Sequence, residues 1–202
     1  MPFGGLQWSR RLLLAHRVAL EREPVAIALS LRRMRIIVDS DEYKCWHEVG
    51  HATVCLHLGG DVDFIEFLDG DARGHARTRC QEKPGTERSV ACGGFATEVY
   101  LLKKGYAAQA PCDIRNINQV VLDNASMDGH AFLGREYSGE GFEAAEAKEF
   151  MNHAIGPDGW GGVVPIIDQY FSRMQELARE LLSTRRVEGW RVQEVLMRGI
   201  PR

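Results

Sequence analysis

The residues best suited to chemistry in this sequence are two histidines four positions apart, with a glutamate between them. His47, Glu48 and His51 form an HExxH sequence. On a helix, residues i and i+4 project from one face, so both imidazoles can bind a single metal ion. The glutamate at i+1 then lies beside the position of a metal-bound water. The spacing predicts a zinc site with Glu48 as catalytic base; the alternative is two partly buried histidines flanking a surface glutamate.

The sequence around the motif carries independent signals of a helix. Asp39 or Ser40 is a candidate N-cap, and Glu42 supports a capping box with Asp39. The pair Gly59-Gly60 is a typical helix stop. We therefore expect the motif to lie on a helix of about five turns.

Two histidines and a water leave tetrahedral zinc one protein ligand short, so the third must come from elsewhere in the chain. His57 has the metzincin spacing, but Val54 stands where that pattern has a turn-forming glycine, so His57 continues along the helix, out of reach of the ion. Glu98 is expected on the next long helix and Asp113 at the start of the helix after it. From the residues alone, Asp113 is equally well a helix N-cap that serves only the backbone.

The remaining pattern predicts an α+β fold that is predominantly helical. β-Branched or alternating runs at 62–68 and 75–80 flank a turn, which predicts a small β-hairpin beside the HExxH helix. Further helices are predicted over 86–104, from 111–113 to 125, and over 143–155, 163–186 and 187–200.

Composition excludes several classes of protein. The chain of 202 residues is 45% hydrophobic and 26% charged, which is typical of globular proteins. Its net charge of −3 predicts no nucleic-acid binding, and no apolar stretch approaches the roughly 20 residues of a membrane span. Five cysteines without a CxxC pair predict neither a disulfide framework nor a cysteine zinc knuckle, and they favour a cytoplasmic location.

Charge is concentrated in the first segment of the chain. Residues 1–38 contain seven Arg and two Glu. This pattern predicts a basic, helical N-terminal extension, followed by the main domain over 39–202. The basic segment is a candidate docking surface for a protein partner, and the sequence leaves assembly into an oligomer open.

Three segments, in order and approximate spacing, resemble the peptidase domain of FtsH-type ATP-dependent zinc proteases. They read HEVGHA at 47–52, GGFATE at 93–98 and APCDI at 110–114. That family shows HEAGHA, GGRxAEE and a short ASNDL-like segment. The chain departs from it at Phe95, at Thr97 and at Pro111-Cys112. It also contains no Gly-Lys dipeptide and hence no Walker A loop, so we expect a free-standing peptidase domain without the ATPase module.

The resemblance implies a zincin-like fold with one Zn²⁺ per chain, held by His47, His51 and Asp113. It also implies that Glu98 supports a ligand and does not itself bind the ion. The expected activity is endopeptidase cleavage of unfolded or flexible polypeptides, independent of ATP.

The substrate is expected to lie extended along the exposed edge of the hairpin, where main-chain pairing holds a peptide without demanding a sequence. The residues expected there are Gly74, His75, Ala76, Arg77 and Thr78. Two alternatives stay open. One is a non-catalytic regulatory or scaffold protein that retains a structural zinc site, and the other is a gluzincin-type peptidase with Glu98 as third ligand.

Overall fold

Ser40 begins the helix that carries the HExxH sequence. Its side-chain oxygen accepts a hydrogen bond of 3.2 Å from the backbone N–H of Tyr43, so Ser40 is the N-cap of helix α1 (Asp41–His57). The helix is followed by Gly59, whose φ of +85° is readily adopted only by glycine. The predicted helix is confirmed, and of its two candidate caps Ser40 is the one used.

The structure is a computed structural model that describes residues 35–68, 76–139 and 142–199. Over these ranges the fold is α+β and mostly helical, as predicted. After β1 (Ile36–Ile37) and α1 come β2 (Asp61–Phe67), β3 (Ala76–Gln81), α2 (Glu87–Ala91), α3 (Gly93–Lys103), β4 (Ala107–Ala108), α4 (Ile117–Asn124), α5 (Ser126–Phe132), α6 (Ala144–Ile155), α7 (Val164–Thr184), β5 (Arg186–Glu188) and α8 (Gly189–Leu196). No helix in the described ranges is long and apolar enough to cross a membrane.

Two small sheets lie beside α1. Strands β2 and β3 form the predicted hairpin, whose turn lies outside the described residues. The unpredicted strand β5 pairs antiparallel with the other edge of β2, so that Ile65 lies opposite both Thr78 and Val187. The sheet order is therefore β3-β2-β5, and β1 pairs in parallel with β4 in a second sheet.

Helix α1 is the centre of the hydrophobic core. It packs against α3, α7 and β3, and ten of its residues are buried. The indole of Trp46 is 1% exposed and stacks on Phe171 of α7 with ring centroids 5.0 Å apart. Polar groups on the buried faces of this helix therefore lie in a low-dielectric environment.

The backbones of α1 and α3 touch where two glycines face each other. A Cβ atom on Gly50 would fall within 3 Å of Thr97 Oγ1 and of the Gly93 carbonyl oxygen. A Cβ on Gly93 would fall within 3 Å of the Gly50 carbonyl and of His51 Cα. The Gly93-Gly94 pair, costly inside a helix, is therefore explained by the close approach of the two helices.

The segment predicted as one helix over 86–104 is two helices. Helix α2 ends and α3 begins at Cys92, whose backbone N–H bonds to the carbonyls of Ser89 and Val90. The apolar positions continue through this break, so the hydrophobic pattern did not reveal it.

The helix predicted from 111–113 begins later, at Ile117, with the Asn116 side chain as its cap. The preceding residues form a turn in which Asp113 Oδ1 accepts a 3.0 Å hydrogen bond from the backbone N–H of Arg115. An aspartate that bonds the backbone two residues on favours a turn over a helix. The short helix α5, which follows α4, was not predicted from the sequence.

The prediction of no disulfide framework is wrong for one pair of cysteines. Cys55 of α1 and Cys80 of β3 form a disulfide. The two are 25 residues apart, and their Cα atoms come within 6.7 Å only because the hairpin folds back over the helix. Spacing along the chain could not reveal this tertiary contact. Of the free cysteines, Cys45 and Cys92 are buried and Cys112 is exposed.

The predicted extension over 1–38 lies mostly outside the described residues, and its role as a docking surface stays a prediction. From Ile36 onward the chain forms one compact unit. Ile36 and Val38 are buried in its core, and Ile36 belongs to the strand that pairs with β4. The body of the fold therefore starts slightly earlier than position 39.

We predict that Gly50→Ala lowers the free energy of unfolding by about 1–3 kcal/mol, the usual cost of overpacking a core. The added methyl group must push α1 away from α3, and this outweighs the gain of up to about 1 kcal/mol from helix propensity. The matched control is Gly161→Ala, whose Cβ would come no closer than 3.4 Å to any of its neighbours. Urea denaturation measures the free energy of unfolding of both variants. Equal stability of Gly50→Ala and Gly161→Ala would contradict the close contact between α1 and α3.

Candidate metal centre

Two imidazoles of α1 and a carboxylate of α5 converge on one point beside the glycine crossing. The Nε2 atoms of His47 and His51 lie 3.1 Å apart. Oδ2 of Asp128 lies 3.1 Å from the first of these nitrogens, and Oδ1 lies 3.3 Å from the second. Among the described residues, these three side chains are the group that could hold a metal ion.

These separations join four atoms, because Oδ2 of Asp128 faces His47 and Oδ1 faces His51. They are compatible with a tetrahedral ion bound by both nitrogens and one of these oxygens. Zinc with ligands at about 2.0–2.2 Å holds neighbouring ligand atoms roughly 3.3–3.6 Å apart, close to the distances seen here. Oδ2 of Asp128 is also buried, and its contact is the 3.1 Å ion pair with Nε2 of His47. A buried carboxylate oxygen whose partner is an imidazole nitrogen able to bind metal is readily explained as a ligand atom. The donor set therefore fits a divalent cation that accepts imidazole and carboxylate ligands.

The outer nitrogen of each imidazole is held by a hydrogen-bond acceptor. Nδ1 of His47 donates to Oε1 of Glu98 at 2.8 Å, and Nδ1 of His51 donates to the carbonyl oxygen of Val90 at 2.8 Å. With Nδ1 as the donor on each ring, both Nε2 lone pairs are directed to the shared point. The tautomer needed for metal binding is thus fixed by α2 and α3.

Glu98 lies on the far side of His47 from the shared point. The two nitrogens of an imidazole point in different directions, and Glu98 contacts Nδ1 whereas Asp128 contacts Nε2. This position is that of a residue that orients a ligand, which the resemblance implied. It gives no support to the gluzincin alternative, in which Glu98 would bind the same ion as Nε2.

The ring of His47 rests directly on the backbone of α3 at Gly94. A Cβ atom there would fall within 3 Å of three atoms of the imidazole. Only glycine at this position leaves room for the ring, so the second glycine of the pair shapes the metal centre itself.

The three groups also stabilise one another electrostatically. Burial alone would raise the pKa of Asp128, but the imidazoles of His51 and His47 hold it well below its usual range. Burial alone would lower the pKa of His47, but Asp128 and Glu98 raise it well above its usual value. The pKa of His51 is raised as well, chiefly by Asp128 against the effect of burial. A cation bound between these groups would take the place of protons that they otherwise hold.

Glu48 is half-buried beside the two ligands on α1. Its backbone carbonyl accepts a 2.8 Å hydrogen bond from the hydroxyl of Thr78, which fastens β3 to the helix at this point. The Cys55–Cys80 disulfide fastens the same strand further along. The strand expected to bind substrate is therefore held against the helix that carries the expected base.

Ala76, Arg77 and Thr78, three of the expected substrate-binding residues, lie on β3, whereas Gly74 and His75 are outside the described residues. Strand β3 is an edge strand: it pairs with β2, and no described strand pairs with its other side. The backbone groups of this unpaired edge are therefore available to an added strand, and the binding of substrate there stays a prediction.

The structure does not bring Asp113, the expected third ligand, to the histidines. Its carboxylate pairs with Arg115, whose guanidinium also bonds Asp39. This arginine holds the pKa of Asp113 well below its usual range. The carboxylate at the histidines is Asp128, fifteen positions further along the chain.

The sequence offered little signal for Asp128. It lies in a seven-residue helix that contains Gly129, without the apolar periodicity that predicts a helix. Asp113, in contrast, stood in a segment with a family resemblance. His57, which we did not expect to bind metal, is exposed and lies 3.3 Å from the hydroxyl of Tyr170.

We predict that Asp128→Asn weakens zinc binding by more than about 100-fold, because even a residue that only orients a ligand typically contributes 10- to 100-fold. Asp113→Asn is the matched control and keeps the wild-type affinity. Competition with a chromophoric chelator measures both affinities. Loss of zinc from the Asp113 variant alone would contradict the geometry.

No protein-family model matches this chain, and the search of curated proteins found no match. The residues and their geometry therefore carry the functional argument.

Proposed function

We propose that this protein is a zinc-dependent endopeptidase with a zincin-like active site. The observation that carries the proposal is the group of His47, His51 and Asp128, with Glu48 next in sequence to His47 and close enough for its charge to act on His51. A structural metal site requires ligands but no adjacent carboxylate. A hydrolytic site requires both, because a base must take a proton from the attacking water.

His47, His51 and Asp128 would hold the ion and leave a coordination position open, as in catalytic zinc sites. When bound, the ion acts as a Lewis acid that acidifies water and polarises a peptide carbonyl. Glu48 accepts the proton of the attacking water and passes it to the departing amide nitrogen. Glu98 and the Val90 carbonyl keep the two imidazoles in the required orientation throughout.

The substrate is proposed to bind as an extended strand along the free edge of β3. Main-chain hydrogen bonds would supply affinity without demanding a sequence, so the expected substrates are unfolded or flexible polypeptides. Arg77 and Arg79 on this strand are already paired with Glu66 and Asp63 of β2, so they add little attraction for acidic peptides.

The resemblance to FtsH-type peptidases supports the same activity from the sequence side. Of its three segments, the HExxH segment and the Gly-Gly segment that leads to Glu98 lie at the candidate metal centre, whereas the segment with Asp113 does not. The proposal differs from the resemblance at one ligand, for which it takes Asp128 in place of Asp113.

We predict that Glu48→Gln keeps zinc but lowers the rate of peptide cleavage by about 10²- to 10⁴-fold, the usual contribution of a general base. Wild-type and variant protein are loaded with zinc and assayed on unfolded casein and on a broad set of fluorogenic peptides. Glu42→Gln, on the same helix but outside the motif, serves as the control and keeps full activity.

Two outcomes would contradict the proposal. One is a wild-type protein that binds zinc but is as inert as the Glu48 variant over the whole peptide set, which would favour a scaffold with a structural ion. The other is a purified protein that takes up iron in preference to zinc, since two histidines and one carboxylate also suit non-haem iron.

A further inference from the structure

Two polar atoms behind the candidate metal centre are buried, and neither has a partner at full hydrogen-bond geometry among the described residues. They are the hydroxyl of Tyr43 and Oε2 of Glu98. Tyr43 is 1% exposed and Glu98 is 2% exposed, so water does not reach either side chain freely. An unpaired buried polar group is destabilising, and most such groups in proteins have a partner.

The side chains of Tyr43 and Glu98 are neighbours within hydrogen-bonding reach of each other. Tyr43 precedes His47 by four residues on α1, so both side chains project from one face of the helix towards α3. Burial and the neighbouring carboxylate of Glu98 raise the pKa of the Tyr43 hydroxyl. The other oxygen of Glu98, Oε1, contacts Nδ1 of His47 at 2.8 Å. The order of groups is therefore hydroxyl, carboxylate, imidazole and metal position.

We propose that Tyr43 is a positioning residue of the metal centre, whose hydroxyl donates a hydrogen bond to Oε2 of Glu98 and so keeps Oε1 on His47. The inference rests on the proposed metal binding and extends it by one residue. A phenol can donate to a carboxylate oxygen, and the pairing satisfies both orphaned atoms at once.

The contact matters because a carboxylate held at one oxygen can still turn about its terminal torsion, which is soft. Held at both oxygens, Glu98 keeps Oε1 aligned with Nδ1 of His47. The Nε2 lone pair of that histidine then stays directed at the ion. Outer residues that orient a metal ligand in this way commonly contribute to metal affinity.

The test is a double-mutant cycle on zinc affinity with Tyr43→Phe, Glu98→Gln and the double variant. The affinity is measured by chelator competition, and folding of each variant is checked by thermal melting. We expect Tyr43→Phe to weaken zinc binding by about 3- to 10-fold, somewhat less than a direct partner of a ligand. In the Glu98→Gln background the same change has less than a twofold effect, because the group that Tyr43 positions is already altered.

Tyr100→Phe is the matched control. Its hydroxyl donates to Asp168 at 2.6 Å, and its ring is 4% exposed, so it also loses a phenolic hydrogen bond from a largely buried side chain. Because it lies outside the chain of groups behind the metal, we expect wild-type zinc affinity. If the loss of a buried phenolic hydroxyl merely loosened the core, Tyr43→Phe and Tyr100→Phe would lose zinc affinity to the same extent.

The inference is overturned by wild-type affinity in Tyr43→Phe, or by the same loss in the Glu98→Gln background as in the wild-type background. The second result would mean that the hydroxyl acts independently of Glu98. A wild-type protein that binds no zinc overturns the proposed function itself and this inference with it. If Tyr43→Phe does not fold, Glu98→Gln with undiminished zinc affinity would overturn the inference.

Discussion

The contact between the backbones of α1 and α3 is the constraint on which the candidate metal centre depends. Gly50 and Gly93 allow the helices to approach until their main chains touch, and Gly94 leaves room for the ring of His47. At that separation Glu98, just over one turn beyond Gly94, reaches the outer nitrogen of the same ring. If the two helices lay further apart, the Glu98 carboxylate would not reach the His47 imidazole. The packing of the helices therefore determines how this ligand is oriented.

The centre places two carboxylates and two imidazoles in the interior of a small domain. Isolated charges there are costly, and they persist only when they are paired or bind a metal. Here Asp128 and Glu98 contact opposite edges of His47, so each charge has a partner within hydrogen-bonding range. This cluster fixes the positions of α1, α3 and α5 relative to one another. It does so through directional polar contacts, which apolar packing alone does not provide.

Most of the local structure follows from the sequence. The cap at Ser40, the stop at Gly59-Gly60 and the alternation in the hairpin are local signals, and the structure contains the elements they predict. The pair of histidines four residues apart is also local, because a helix alone brings them together. The prediction of an α+β, mostly helical fold was correct because it rests on such local patterns.

The remainder depends on tertiary contacts that no local pattern encodes. Asp128 lies on a short helix next to a glycine, and only the packing of that helix against α2 brings its carboxylate to the histidines. Asp113 had the stronger sequence signal, but Arg115, two residues on, binds its carboxylate. The boundary between α2 and α3 falls within a continuous apolar pattern, and so it escaped prediction.

The disulfide between α1 and β3 makes residues 55–80 a covalent ring. The turn of the hairpin lies within this ring, so a single cut in the turn leaves the two parts of the chain joined. On a gel without reductant such a nicked molecule would migrate as an intact one, and only opening the bond would separate the fragments. Bonds of this kind persist in oxidising compartments, at odds with the reducing cytoplasm favoured by the cysteine spacing. For a protein proposed to cut polypeptides, self-cleavage in this loop would thus be detected only after the disulfide had been reduced.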